Sequence, residues 1–332
     1  MQFRKAVVHG KGDLRIETES LERELEPGEM LVRTEVTALS TGTDLGNYLG
    51  DSTYVPGAPD YPREVGYSNI GVIQSTGERV FSMRAHRSGF VAKPGELLVR
   101  VPEEVSSEEA SLSYLTQLGL AALRQARYEP GENVVVIGLG VIGLCTVAVS
   151  RAMGAMVIGV ANSAIRARAA IHMGARACLQ ADDPDLLATT TRQYRGEAAD
   201  IVVLTSNSWD SYFLALSLAR FGGRVSILGF PGRDQGPPSH NPLHPAPFYE
   251  KQLTLTGAGH SPRLECGAED LRFNLRRNLE YILDLMADRR LTLDSLITHR
   301  LPFDRMTEAY ELAKAHSKEL IAAVFDWRGS TS

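Results

Sequence analysis

The chain has 332 residues, of which 43% are hydrophobic and 23% charged, and its net charge is −5. This length suits about two domains, and the acidic balance without a basic run argues against nucleic-acid binding. Three widely spaced cysteines, Cys145, Cys178 and Cys266, argue against a disulfide framework and a four-cysteine zinc site. The N-terminus lacks an apolar signal core and no apolar stretch is long enough for a membrane span, so we expect a cytoplasmic protein.

Residues 1–117 are predicted to be β-rich. Short runs bounded by Gly, Pro and Glu are typical of a barrel-like or sandwich domain. These runs are KAVVHG, LRIETES, EMLVRTEVTALS, NIGVIQS, GERVFS and ELLVRVP. A helix over 107–127 is predicted after the capping signal Ser106-Ser107-Glu108-Glu109.

The next part of the chain alternates strands and helices, which predicts a doubly wound parallel sheet. The predicted strands are 134–137, 156–160, 175–179, 200–204, 224–228 and 253–259, and the predicted helices are 141–153, 164–173, 184–195 and 209–220. Residues 229–247 carry six prolines and are predicted to form a long irregular loop. An amphipathic helix over 269–288 and a strand–helix–strand tail follow. We predict a cofactor domain over 118–259 and a second domain formed by 1–117 with 260–332.

A G-x-G-x-x-G run formed by Gly138, Gly140 and Gly143 lies between the first of these strands and its helix. In this context the first glycine makes a tight turn, the second lets the backbone approach a pyrophosphate, and the third lets helix and strand pack closely. The N-terminus of the helix, at Val141 and Ile142, offers unpaired N–H groups to phosphates. The sequence therefore predicts dinucleotide binding, and the alternative is a glycine-rich turn without a ligand.

The end of the second strand indicates which dinucleotide is bound. NAD sites place an Asp or Glu there to bind the ribose 2′-hydroxyl, but this chain has Ala161, followed by Asn162 and Ser163. Ser163, Arg166 and the nearby Arg168 can bind a 2′-phosphate. This pattern favours NADP(H). The alternative is an NAD site that does without the acid, beside exposed arginines that bind nothing.

Four segments together resemble the medium-chain dehydrogenase/reductase superfamily over nearly the whole chain. They are EPGEMLVRTEVTALSTGTD, VGYSNIGVI, EPGENVVVIGLGVIGL and ITHRLPFDRMTEAYEL. The resemblance implies a Rossmann cofactor domain, a β-rich GroES-like catalytic domain and a homodimer. The GTD, GYS and THRLPF forms are most similar to a zinc-free branch that includes bacteriochlorophyllide hydroxyethyl dehydrogenases. The pigment substrate of that branch is not carried over, because the shared motifs are mostly structural.

The chain departs from the zinc-dependent members at each position where they hold the catalytic metal. Thr41 stands in place of their cysteine, Tyr67 and Ser68 in place of their histidine and carboxylate, and Tyr114 near a further ligand position. None of these side chains is a usual zinc ligand. We therefore expect a metal-free site in which a protein group transfers the proton that accompanies hydride transfer.

The resemblance suggests four residues for this proton chemistry, each with a structural alternative. Tyr67 carries a phenol that can hydrogen-bond a carbonyl oxygen, or it fills the space of the metal. Thr43 matches a proton-relay hydroxyl, or it is a turn residue. Asp44 orients Thr43 or caps a turn, and His86, after the strand GERVFS, is catalytic or structural.

These observations predict an NADP(H)-dependent enzyme that interconverts a secondary alcohol and a ketone on a small or medium-sized metabolite. The first alternative is a zinc-free reductase of an activated C=C bond or a quinone. The second is a dinucleotide-binding protein without turnover. The strand 253–259 is predicted to be the edge of the cofactor sheet, and an exposed edge invites pairing in a homodimer.

Overall fold

The computed structural model describes residues 1–50, 60–233, 235–259 and 273–330. Backbone contacts divide the chain into two units. The β-rich unit comprises Met1–Tyr114, Leu279–Arg289 and Asp294–Ser332, and the parallel-sheet unit comprises Leu115–Asn278 and Arg290–Leu293. The first division thus falls after 114, where the sequence predicted 117. The second predicted division, at 259/260, adjoins residues outside the described part of the chain, as do Cys266 and the start of the predicted helix 269–288.

The β-rich unit contains two sheets of mostly antiparallel strands. Its strands are β1 (Gln2–Gly10), β2 (Asp13–Ser20), β3 (Met30–Ala38), β4 (Arg63–Glu64), β5 (Asn69–Ile73), β6 (Arg79–Ser82), β7 (Gly89–Ala92), β8 (Val99–Arg100), and, from the C-terminal part, β15 (Ile297–Pro302) and β16 (Ala322–Asp326). One sheet has the order β2-β1-β4; the other runs β15-β16-β3-β5-β6-β8, with β7 paired to β3. The predicted β-rich character is confirmed, although the strand expected in ELLVRVP is only two residues long.

The helices of the β-rich unit cover one edge of its core. They are α1 (Thr43–Leu49), α2 (Ser107–Ala110) and α9 (Met306–Lys314), with the first residues of α3 (Ser113–Gln125) and most of α8 (Leu275–Ala287). The side chain of Ser106 accepts a hydrogen bond from Glu109 N, as the capping signal predicts. Leu39, Tyr48, Tyr310, Phe325 and Trp327 are buried together and hold α1 and α9 against β16. Helix α8 begins at Leu275, whereas the helix was expected to begin at residue 269. Phe273 and Asn274 precede it without helical structure, and Asn274 Oδ1 accepts a hydrogen bond from Arg277 N in the first turn.

The parallel-sheet unit has the predicted doubly wound topology. Its strands are β9 (Asn133–Ile137), β10 (Met156–Val160), β11 (Ala177–Leu179), β12 (Ala199–Leu204), β13 (Ala219–Ile227) and β14 (Thr254–Gly257). They form one six-stranded sheet in the order β11-β10-β9-β12-β13-β14, and every pairing is parallel. The connecting helices are α4 (Val141–Ala152), α5 (Ala164–His172), α6 (Leu186–Gln193) and α7 (Trp209–Leu218). Because helices cover both faces of such a sheet, its central strands read as continuous apolar runs.

The described residues of the Pro-rich segment 229–247 are irregular as predicted up to His244, but a short π-helix (Pro245–Tyr249) begins where the loop was expected to continue to residue 247. The segment is anchored to α7. The Trp209 indole N–H donates to Gly236 O at 3.1 Å, and the Tyr212 hydroxyl donates to Pro242 O at 2.9 Å. Gly232 has φ +84°, and a Cβ there would lie 2.5 Å from the Trp209 ring. Just beyond the segment, the Lys251 ammonium donates to the carbonyls of the last turn of α7 and of Ala219. No helix in the described residues is long and apolar enough to span a bilayer.

Candidate functional site

The glycine loop of the parallel-sheet unit has the geometry that a dinucleotide requires. Gly138 follows β9 with φ +89°, a conformation that favours glycine. A Cβ on Gly143 would lie 1.9 Å from Gly138 O, so only glycine allows the helix to pack this close. A Cβ on Gly140, by contrast, would meet nothing within 4 Å. This open position is where a bound pyrophosphate would approach the backbone, beside Val141 and Ile142 at the start of α4.

Three residues after β10 form a polar edge beside this loop. Ala161 N donates to Leu179 O at 3.0 Å, and Asn162 Oδ1 accepts from Ala181 N at 2.8 Å. Ser163 is the N-cap of α5, yet its side chain makes no capping hydrogen bond. These contacts fix the backbone and leave the Ser163 hydroxyl for other partners.

Arg166 lies in the first turns of α5 and is half-buried. Burial lowers the pKa of its guanidinium, and its Nε is buried without a hydrogen-bond partner. Within the described residues it forms no ion pair with a carboxylate. An arginine in this state has unused capacity to bind an anion.

The β-rich unit brings Tyr67 and Ser40 together. The Tyr67 hydroxyl donates to Ser40 Oγ at 2.5 Å, although 27 residues separate the two in sequence. Burial and the nearby Asp44 carboxylate raise the pKa of the Tyr67 phenol well above its usual value, whereas hydrogen bonding to Ser40 and to Thr43 opposes the rise. The phenol is therefore neutral at physiological pH and can act as a proton donor.

Asp44 holds the two backbone segments that carry this pair. Its Oδ2 accepts from Ser40 N at 2.8 Å and its Oδ1 accepts from Gly66 N at 2.9 Å. The side chain is only 1% exposed. Gly66 and Tyr67 are neighbours in sequence, so one carboxylate fixes both halves of the Tyr67–Ser40 hydrogen bond.

His86 lies behind Asp44 and is fully buried. Its Nδ1 is 2.8 Å from Thr37 Oγ1, which itself accepts from the Trp327 indole N–H at 2.9 Å. The Thr37 hydroxyl thus links the imidazole to the indole, and His86 Nε2 is buried without a hydrogen-bond partner in the described residues. Nε2 is 3.8 Å from Asp44 Oδ2. Gly66 is needed here as well, since a Cβ on it would lie 2.6 Å from the imidazole.

The residues that the resemblance aligns with zinc ligands carry none of the side chains that zinc usually binds. The Ser68 hydroxyl donates to Ser111 O at 2.5 Å and so belongs to the backbone packing. The Tyr67 and Tyr114 rings meet edge to face with centroids 5.0 Å apart. Across the part of the chain that the structure describes, no three His, Cys, Asp or Glu side chains form a group that could hold a metal. Hydroxyls and packed aromatic rings stand where thiolate, imidazole and carboxylate ligands would be needed.

The structure thus groups Tyr67, Asp44 and His86, which were predicted from separate motifs, and sets Thr43 at the first residue of α1 beside them. Sequence reasoning missed Ser40, the direct partner of the Tyr67 hydroxyl. It also missed Thr37 and Trp327, which orient His86. The one available signal for Ser40 was a hydroxyl immediately before Thr41, in the same segment as Thr43 and Asp44.

Comparison with known proteins agrees with this architecture. The family described as "Zinc-binding dehydrogenase" matches residues 141–266. L-galactonate-5-dehydrogenase from Escherichia coli (strain K12) is 30% identical over 66% of this chain, and the match spans 59% of that relative, less than two thirds of its length. Sorbitol dehydrogenase from Mus musculus is 24% identical over 93% of this chain and 92% of its own.

The fold is shared with an alcohol dehydrogenase from Thermus sp. ATN1. That structure superposes with a TM-score of 0.76 at 20% identity, over 97% of this chain and 99% of the other. The fold is therefore a six-stranded parallel Rossmann sheet with a β-rich GroES-like domain. The chain thus shares its fold with this alcohol dehydrogenase, and its sequence is similar to the zinc-binding dehydrogenase family over residues 141–266 and to sorbitol dehydrogenase over 93% of the chain.

Proposed function

We propose that the protein is a zinc-independent, NADP(H)-dependent oxidoreductase that interconverts a secondary alcohol and a ketone, with Tyr67 as the proton donor. The observation that carries the proposal is the neutral Tyr67 phenol, hydrogen-bonded to Ser40 at a zinc-ligand position of the family. The names of the relatives, a galactonate and a sorbitol dehydrogenase, support an alcohol as the reduced substrate. The forms GTD, GYS and THRLPF support the zinc-free branch of the superfamily.

The glycine loop and the residues after β10 support the choice of NADP(H). Gly138, Gly140 and Gly143 would receive the pyrophosphate at the N-terminus of α4. Ala161 offers no carboxylate to repel a 2′-phosphate, and Arg166 has no carboxylate partner of its own in the described residues. A 2′-phosphate would supply the anion that the Arg166 guanidinium lacks, and the Ser163 hydroxyl and the Asn162 amide would add hydrogen bonds.

When bound, the dinucleotide supplies the hydride to the carbonyl carbon in reduction and accepts it in oxidation. The Tyr67 O–H gives its proton to the carbonyl oxygen, so that the ketone becomes the alcohol and Tyr67 becomes a phenolate. In oxidation the phenolate takes the alcohol proton back. A positioned acid of this kind contributes about 10²–10⁴-fold to the rate. Asp44 and His86 act on the position of Tyr67 and do not themselves transfer the proton.

Tyr67→Phe tests the assignment because it removes the hydroxyl and keeps the ring contact with Tyr114. Turnover of secondary alcohols and ketones should fall by about 10²-fold or more, with NADPH affinity unchanged. Tyr48→Phe is the matched control, since its hydroxyl donates to Glu311 Oε1 at 2.6 Å in the same unit. A Tyr67→Phe enzyme with normal turnover would contradict the role of Tyr67 as the acid.

Metal content tests the other half of the proposal. Elemental analysis of the active protein should find well under one zinc per chain, and strong chelators should leave turnover unchanged. Stoichiometric zinc that chelators remove together with activity would overturn the mechanism. Activity confined to enones or quinones would instead favour reduction of a C=C bond.

A further inference from the structure

We infer that Ser40 is a second functional hydroxyl of this site, whose role is to stabilise the Tyr67 phenolate formed when Tyr67 gives up its proton. The inference rests on the proposed function, in which Tyr67 is the acid. It assigns a role to a residue outside the family's metal-ligand and relay positions.

The geometry isolates Ser40 as the direct partner of the phenol. Ser40 is 3% exposed, and its Oγ receives the Tyr67 hydroxyl at 2.5 Å. Its own backbone N–H is held by Asp44 Oδ2 at 2.8 Å, so the side chain is attached to a fixed backbone. Within the described residues, the Ser40 hydroxyl proton has no acceptor.

A serine hydroxyl can reverse the direction of its hydrogen bond, because it is both a donor and an acceptor. Before substrate binds, the neutral Tyr67 phenol donates to Ser40 Oγ. When the Tyr67 O–H turns to the substrate oxygen, the Ser40 O–H rotates and donates to the Tyr67 oxygen, and it keeps this bond to the phenolate after the proton has moved. No bond to carbon is made or broken at Ser40. A hydrogen bond to a charged oxygen is stronger than one between neutral groups, so this reversal favours the products of proton transfer.

The hydrogen bond from Ser40 matters because most of the surroundings of Tyr67 disfavour a phenolate. The groups that act on the phenol are the Asp44 carboxylate and the Thr43 hydroxyl from α1, the Tyr114 ring from α3 and the Tyr310 ring from α9, with Ser40 as its hydrogen-bond partner. Burial and the Asp44 carboxylate raise the pKa of the phenol and so disfavour a phenolate, and Tyr114 adds a smaller effect in the same direction. Ser40 and, to a lesser extent, Thr43 are the groups that act in favour of the phenolate.

The test replaces Tyr67 by 3,5-difluorotyrosine and follows the ionisation of that phenol by ¹⁹F NMR. Fluorination brings the phenol's titration to a pH at which the protein can be handled. In this background Ser40→Ala should raise the apparent pKa of the fluorinated phenol by about one unit or more. Ser40→Thr, which keeps a hydroxyl, should restore it. Ser68→Ala is the control, since the Ser68 hydroxyl donates to Ser111 O and should not affect the titration.

In the unfluorinated enzyme, Ser40→Ala should lower kcat for ketone reduction about tenfold, the factor that one pKa unit represents, with KM unchanged. An unchanged or lowered phenol pKa in Ser40→Ala would overturn the inference, as would an equal shift in Ser68→Ala. The NMR titration needs no turnover. If Tyr67→Phe leaves turnover unchanged while Ser40→Ala raises the phenol pKa, Tyr67 is not the acid, but Ser40 still stabilises the Tyr67 phenolate.

Discussion

Asp44→Asn is expected to weaken the β-rich unit more than any exposed carboxylate change. The carboxylate accepts two backbone N–H bonds, from Ser40 at 2.8 Å and from Gly66 at 2.9 Å, while 1% exposed. Asparagine keeps one acceptor oxygen and turns an NH₂ group toward the other N–H. One hydrogen bond to a charged group is lost and one buried donor is left unpaired, which should cost about 2–4 kcal/mol.

The two tryptophans allow the loss to be measured in the unit concerned. Trp327 lies in the β-rich core and Trp209 in the parallel-sheet unit, so a Trp209→Phe background leaves Trp327 as the only tryptophan. With a urea slope of about 1–3 kcal/mol per molar, Asp44→Asn should lower the midpoint of the Trp327 transition by about 1–2 M. Asp13→Asn, which removes an exposed ion pair with Arg15, is the control. Equal midpoints for the two variants would refute the proposed role of Asp44 as a backbone clamp.

Three further outcomes follow from the same structure. Calorimetry should show NADPH binding at least about tenfold tighter than NADH, and Ala161→Asp should reverse this order because the new carboxylate repels a 2′-phosphate; equal affinities in the unmodified protein would contradict it. Light scattering should give the mass of two chains. Gly257→Pro should give one, since proline removes an N–H that points away from β13 at the edge of the sheet; a dimer that survives this change is joined elsewhere. Because the pKa of Tyr67 is raised, ketone reduction should stay flat up to about pH 10, while alcohol oxidation should rise with pH across the same range; a loss of reduction between pH 7 and 9 would argue against Tyr67.

The parallel sheet could be predicted from the sequence because its signals are local. A strand buried on both faces is an unbroken apolar run, as in β9 and β10, and the glycines between β9 and α4 mark a turn whose geometry only glycine permits. The bounds of a strand were less predictable where residues of an apolar run are buried without lying in the strand. ELLVRVP contributes only Val99–Arg100 to a sheet. Of its other apolar residues, Val101 is buried and Leu98 is half-buried against the core.

The candidate site was only partly predictable, because its contacts join distant parts of the chain. Tyr67, Thr43 and Asp44 belong to motifs and could be named. Ser40 could not, since its position before Thr41 does not indicate that a tyrosine 27 residues away donates to it. The hydrogen bond from Trp327 to Thr37 spans 290 residues. Such pairings follow from how β16 is placed beside β3, which no local pattern encodes.

The attachment of the Pro-rich segment to α7 has a consequence for how this region opens. Hydrogen bonds from Trp209 and Tyr212 reach the segment, and Lys251 binds the last carbonyls of the same helix. The segment therefore lacks the independence of an ordinary surface loop, because its release requires α7 to lose contacts at its N-terminal end, while Lys251, beyond the segment, holds the C-terminal end of the helix. We expect helix and segment to unfold as one cooperative unit, so that hydrogen exchange should show their amides exchanging through the same opening event. Insertions that lengthen the segment and deletions that shorten it should therefore alter the stability of α7, and protein engineering in this region has to treat the two as a single module.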